Sequence, residues 1–352
     1  MPFDTWNALT RAYGPKAEAR VLDRIAETRG KDGTLHLLRQ GFRDVTVGRV
    51  RLAYFRPNTG LNPEAQARYA ANLLEVTRQV HHSPREPSQS LDLVLSVNGI
   101  PVATAELKNA FTGQTVAHAM RQYREDRSPK DPILAFKSGA LVHFAADAAD
   151  VFMTTKLAGK ATRFLPFNRG RNGGAGNPDH PSGHRTAYLW EEVWAKDRWL
   201  DILHRFLFLD RKEERDDAGK TRVKETMVFP RYHQLDAVSA LVADARAHGA
   251  GRNYLVQHSA GSGKSNSIAW LAHRLAGLHD ARDRRVFDSV IVITDRRVLD
   301  AQLQETVFGI DHKSGLVERI DPDKGAKAPQ LAKALNGGKQ IVVCTLQSFI
   351  AV

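Results

Sequence analysis

One cysteine, Cys344, is all that this chain of 352 residues contains. An intrachain disulfide needs two thiols and a cysteine-built zinc site needs more, so both are excluded and a reducing, cytoplasmic setting is expected. No apolar run approaches the roughly 20 residues that cross a bilayer, so no membrane association is expected. The N-terminus, MPFDTWNALTRAYG, lacks the basic-then-apolar layout of a secretion signal. Acidic side chains are also in short supply: 39 Asp and Glu against 51 Lys and Arg give a net charge of +12. That excess favours a polyanionic partner, nucleic acid above all, although charge says nothing about fold. The length leaves room for two domains, each with its own core.

What is present is organised around Leu91 to Lys108, LDLVLSVNGIPVATAELK. It reads as two strands joined at Asn98-Gly99. Strand residues two apart share a face, so Glu106 and Lys108 project together. A two-residue loop would set Asp92 against Ala105, on the wrong face. A three-residue loop, Asn98-Gly99-Ile100, with a bulge sets Asp92 opposite Glu106, and this is the register expected. Asp92 and Glu106 would then offer hard oxygen ligands suited to Mg2+ or Mn2+. Such an ion polarises a phosphodiester and acidifies a bound water. Lys108 would hold that water or offset charge on the phosphate. The competing reading is an ion pair decorating an edge strand, and Asp…Glu-x-Lys alone does not decide between them.

Before this hairpin, Ala17 to Thr28 has helical spacing, Val45 to Phe55 is β-rich, and Pro63 to His81 reads as a longer helix. After it come a helix over Thr115 to Glu125 carrying Gln122 and Tyr123, and strands at Ile133–Phe136, Ala140–Phe144 and Asp150–Thr155. A small mixed sheet flanked by helices is implied. Asn168 to His184 is rich in Gly, Asn and Pro and reads as a loop. Tyr188 to Leu209 reads as one or two helices, with Trp190, Trp194, Trp199, Leu203 and Phe206 spaced for burial. The polar run Arg211 to Arg222 reads as a linker, which gives domains over 1–210 and 226–352 joined through 211–225.

The second half carries a sharper motif. An apolar strand is expected at Tyr254 to Gln257, followed by HSAGSGKS and an apolar helix from Ile268. Small residues let the backbone of Gly261, Ser262 and Gly263 wrap a phosphate at the helix N-terminus. Lys264 would reach the β- and γ-phosphates of ATP and the Ser265 hydroxyl would ligate Mg2+. Gln234, thirty residues earlier, has the paired donor and acceptor to read an adenine edge. Strands at Ser289–Thr294 and Gln340–Thr345 complete a βαβα rhythm and imply a parallel sheet.

Together these segments resemble the restriction (R, or motor) subunit of a type I restriction-modification enzyme, over nearly the whole chain. The resemblance rests on LDLVLSVNGIPVATAELKN, VHFAADAADVFMTTKL, FLPFNRGRNGGAGNP and YLWEEVWAKDRWLDIL in the first half. In the second it rests on FPRYHQLDAV, HSAGSGKS, VIVITDRRVLDAQL and IVVCTLQSF. It implies an α/β chain: an N-terminal PD-(D/E)xK nuclease domain, then the first of two RecA-like superfamily 2 motor domains. On that basis Asp92, Glu106 and Lys108 correspond to the nuclease triad, Gln234 to the Q motif, and Gly261, Gly263, Lys264 and Ser265 to motif I. Asp295, Arg296 and Thr345 fall in motifs that approach the nucleic-acid backbone. The resemblance implies double-stranded DNA, a methyltransferase (M) subunit and a specificity (S) subunit as partners. One departure concerns the helix after the triad, where the family often has a glutamine four residues before a tyrosine. Here Gln122 directly precedes Tyr123 and Ala119 stands four before it, which puts an accessory role for either in doubt. The acidic box and second motor lobe would lie beyond Val352, so poor ATP hydrolysis is expected. A nuclease–motor pair of another restriction or DNA-repair system, and a non-catalytic docking module, are the competing readings.

Overall fold

The computed structural model describes all residues except 1–2, 216–218, 220, 295–296, 311–315, 321–325 and 347–352. Contacts divide the chain into two units, Met1–Pro57 with Asn62–Leu207 and Thr226–Arg231, and Asn58–Leu61 with Phe208–Glu225 and Tyr232–Val352.

The first unit opens with helices α1 (Phe3–Tyr13), α2 (Ala17–Asp32) and α3 (Thr34–Gln40), a short antiparallel pair β1 (Phe42–Asp44) and β2 (Gly48–Val50), and α4 (Pro63–Ala70). The sheet follows as β3 (Leu74–His81), β4 (Ser90–Val97), β5 (Ile100–Leu107), β6 (Val142–Ala146), β7 (Val151–Thr154) and β8 (Leu165–Pro166), hydrogen-bonded in that order. It is mixed, because β5 and β6 run parallel while the other neighbours are antiparallel. The crossover between β5 and β6 carries α5 (Val116–Glu125), whose Val116, Ala119 and Tyr123 pack on Leu91, Val94 and Ala145. Phe144 opens onto the other face and meets Phe167, Trp199 and Phe229 edge-on or tilted, an arrangement that favours aromatic quadrupoles. Trp199 lies in α6 (Lys196–Asp201), within the helical stretch that ends at Phe206. Trp199, Leu203 and Phe206 are buried as their spacing predicts, whereas Trp190 stays 46% exposed.

Two expected elements are corrected here. Pro63 to His81 is not one helix: α4 stops at Ala70, and Leu74 to His81 is the edge strand β3. Its side chains are mostly exposed, so it lacks the in–out alternation that marks a half-buried strand, and its apolar residues happen to fit a helical period. Ile133 to Phe136 forms turns rather than a strand. Leu134 fills the core beside α5, and the carbonyl of Asp131 accepts from its N–H.

β9 (Phe208–Arg215) and β10 (Thr221–Val228) form an antiparallel pair, so the run expected as a linker is largely a hairpin. Its charged side chains lie outward and pair across the strands, Arg211 with Glu225 and Glu214 with Lys224. Then follow α7 (Tyr232–His248), α8 (Lys264–Ala276), β11 (Val290–Thr294), α9 (Arg297–Ile310), β12 (Val317–Arg319), α10 (Lys327–Asn336) and β13 (Ile341–Thr345). The three strands form a parallel sheet in the order β11-β13-β12, as the alternation of strands and helices requires. Tyr254 to Gln257 is not a strand. A strand exists through its ladder partners, none of the described strands pairs with this segment, and Leu255 is left 91% exposed.

Candidate active site

The β4–β5 hairpin turns at Asn98 (φ 50°) and Gly99 (φ 79°), the positive pair that a two-residue turn matched to strand twist demands. Val97 faces Ile100 and Ser96 faces Pro101, but Leu95 faces Ala103. Val102 is therefore the extra residue, and the bulge lies inside β5 rather than in the expected three-residue loop. The consequence for register is the same. Leu93 faces Ala105, so one step further Asp92 stands opposite Glu106, on the face covered by α5.

Glu106 is fully buried and Asp92 half-buried. Asp92 Oδ2 accepts from the backbone N–H of Leu107 at 2.8 Å, and Oδ1 from Gln79 Nε2 at 3.2 Å. Glu106 Oε1 accepts from Arg127 Nε at 2.7 Å, while Oε2 has no N–H or hydroxyl donor among the described residues. Burial pushes the Glu106 carboxyl up to about 7, against the pull of Arg127 and with a further push from Asp92. Arg127 also donates to the Ser90 carbonyl at 2.7 Å. Close by, His82 Nδ1 lies 3.2 Å from Asp131 Oδ2, and both side chains are buried. Burial first, then the charge of Arg127, holds His82 below its ordinary value. Lys108 follows the last residue of β5, yet its N–H still donates to Ala146 at 2.9 Å. The ladder thus runs through it, strand alternation sets it on the side of Glu106, and it forms no ion pair with a described residue.

The donor set suits a hard divalent cation. Two carboxylates from adjacent strands converge closely enough to share a hydrogen bond when Glu106 is protonated, and Glu106 Oε2 has no N–H or hydroxyl donor among the described residues, so a cation between the two would replace the shared proton. Among the described residues no group of three or more His, Cys, Asp and Glu side chains is placed to hold a metal. The Tyr123 hydroxyl is 2.7 Å from Thr104 Oγ1 in a buried chain that continues to His143. Gln122, beside it, is half-buried on α5.

Gln79 and Arg127 are site neighbours that sequence reasoning missed. Arg127 sits in RQYREDRSPKDP, a run that reads as a solvated charged face, and Gln79 lay in the segment read as helix. Nothing local marks either one.

In the second unit the loop before α8 places the other candidate group. Gly261 and Gly263 take φ of +71° and +81°, and a Cβ on Gly263 would lie 2.6 Å from Gln234 Nε2. That amide donates to the Gly263 carbonyl at 2.8 Å. Lys264 Nζ donates to the carbonyls of His258 (3.0 Å) and Ser259 (2.9 Å). Ser262 is buried with no partner for its Oγ among the described residues, and Ser265 lies in the first turn of α8. Thr345 ends β13 opposite Thr294, buried. Asp295 and Arg296 lie outside the described residues.

Residues 30–162 match the family model described as type I restriction enzyme R protein N terminus, and residues 233–351 match that of the SWI2/SNF2 ATPase. Residues 30–162 are thus similar to the N-terminal domain of type I restriction enzyme R proteins. Curated relatives agree. The type I restriction enzyme MjaVIIIP endonuclease subunit of Methanocaldococcus jannaschii is 24% identical over 312 residues, 85% of this chain and 26% of that protein. The type I restriction enzyme HindI endonuclease subunit of Haemophilus influenzae is 26% identical over 225 residues, 61% of this chain and 19% of that protein. The chain thus spans about a quarter or less of the relatives it matches, with Asp92, Glu106 and Lys108 inside the first family match and the glycine-rich loop inside the second.

Proposed function

We propose that this chain belongs to the DNA-cleaving, ATP-driven translocating subunit of a type I restriction system, acting in the cytoplasm with M and S subunits on double-stranded DNA. In this reading residues 1–210 form a PD-(D/E)xK nuclease and the second unit opens a RecA-like motor whose loop binds ATP. One observation carries the cutting activity: the bulge at Val102 brings Asp92 and Glu106 face to face, with Glu106 Oε2 buried and lacking an N–H or hydroxyl donor among the described residues. Asp92, Glu106 and substrate would hold Mg2+ or Mn2+, which supplies Lewis acidity and a nucleophilic water when bound. Lys108 orients that water or offsets charge on the scissile phosphate. The Arg127–Glu106 contact favours one competitor, a structural ion cluster on a non-catalytic docking module. A nicking assay on supercoiled plasmid with Mn2+ separates the two: D92A and K108A should each lower the rate at least a hundredfold while DNA retention in a gel shift is unchanged. Variants that cut like the parent would leave the docking module.

A further inference from the structure

Gln79 departs from its surroundings. It lies mid-strand in β3, on the outer edge of the sheet, yet its φ is +52°. Pairing is regular on both sides of it, Arg78 with Leu93 and Val80 with Leu91. Asp92 is the residue across from it, so Gln79, Asp92 and Glu106 form one row over three strands. A left-handed backbone is unfavourable for any residue with a Cβ and persists where surrounding contacts over-determine it. Here the contacts belong to the amide. Ser90 Oγ donates to Gln79 Oε1 at 2.8 Å, and Gln79 Nε2 donates to Asp92 Oδ1 at 3.2 Å. The Ser90 hydroxyl therefore fixes which end of the amide faces the carboxylate. Gln79 and Asp92 also line, with Thr77, Arg78 and Leu107, an open cleft of about 770 Å3.

From this geometry we infer that Gln79 is a positioning residue for Asp92: its strained backbone and Ser90-locked amide hold the carboxylate at the angle from which it ligates a divalent cation. The inference rests on the nuclease reading of Asp92 and Glu106. Outer contacts of this kind orient ligands, and their loss typically weakens metal binding about 10- to 100-fold.

Glycine at position 79 separates positioning from folding, because it keeps the backbone conformation without strain and deletes only the amide. Mn2+ binding to the full chain, measured by electron paramagnetic resonance without nucleotide, should show a site that D92A removes. In Q79G that affinity should fall about tenfold or more while the melting temperature stays equal or rises. The Mn2+ concentration for half-maximal nicking should rise with it, and the rate at saturating Mn2+ should hold. S90A, which leaves the backbone and the amide in place, should give the same shift in smaller measure. Parent-like Mn2+ affinity in both variants, or a Q79G loss matched by a fall in melting temperature with no effect of S90A, would overturn the role of Gln79 alone. A parent chain with no Asp92-dependent Mn2+ binding would overturn the site reading and this inference with it.

Discussion

With its Nε 2.7 Å from Glu106 Oε1, Arg127 allows a carboxylate to occupy the interior of the sheet. Both side chains are at most 4% exposed, so neither charge is compensated by water. A buried pair of this kind adds little net stability, but removing one partner leaves the other charge buried and alone, at a cost of roughly 3–5 kcal/mol. R127A should therefore lower the thermal midpoint of the first unit sharply. E106A/R127A should cost clearly less than the sum of the two single changes, since neither charge is then stranded. Additive losses, read by tryptophan fluorescence, would show that the two groups do not depend on each other. No pattern in the sequence announces this pair. Arg127 has acids and bases on all sides in its own segment, and its partner lies 21 residues back on another element.

Among the elements, the turn after β1 shows how one acid can tie several segments together. Asp44 Oδ1 accepts from the N–H groups of Thr46 and Val47 and from the Tyr13 hydroxyl, while Oδ2 accepts from Arg20. Burial alone would raise its pKa, but these donors outweigh burial and hold the carboxyl at about 2, against an ordinary 3.8. The depressed value means that the stabilisation is complete above pH ~4 and is lost as pH falls through ~2. D44N should cost about 1–2 kcal/mol at pH 7, after allowing for solvent screening, and the gap to the parent in urea unfolding should narrow toward pH 2. An unchanging gap would assign the effect to shape rather than charge. Elements were legible where burial imposes a period. The β4–β5 hairpin, α5 and the parallel strands β11 and β13 each pack an apolar face and stand where their patterns place them. β3 was illegible because an exposed edge strand needs no alternation. The register of Asp92 against Glu106 was legible, but its device was not, since Asn98-Gly99 makes a two-residue turn and Val102 supplies the bulge.

Over the whole molecule, two units with separate cores carry two candidate chemistries, and the strongest sequence motif lies in the second. In the loop before α8 Lys264 is held by the carbonyls of His258 and Ser259. These neutral acceptors compete weakly with a triphosphate for an ammonium group. Binding of ATP with Mg2+ should therefore release Lys264 from its own loop. A ligand that binds only the folded state at a hundred times its dissociation constant stabilises by about 2.7 kcal/mol, so ATP should raise the melting transition reported by Trp270, which is buried in α8. K264A should abolish that rise, because the charge facing the β- and γ-phosphates is gone, while leaving the Asp92-dependent Mn2+ site of the first unit at parental affinity. Loss of Mn2+ binding in K264A would show that the two sites are energetically coupled within this stretch of chain. An undiminished ATP shift would instead remove Lys264 from the nucleotide site.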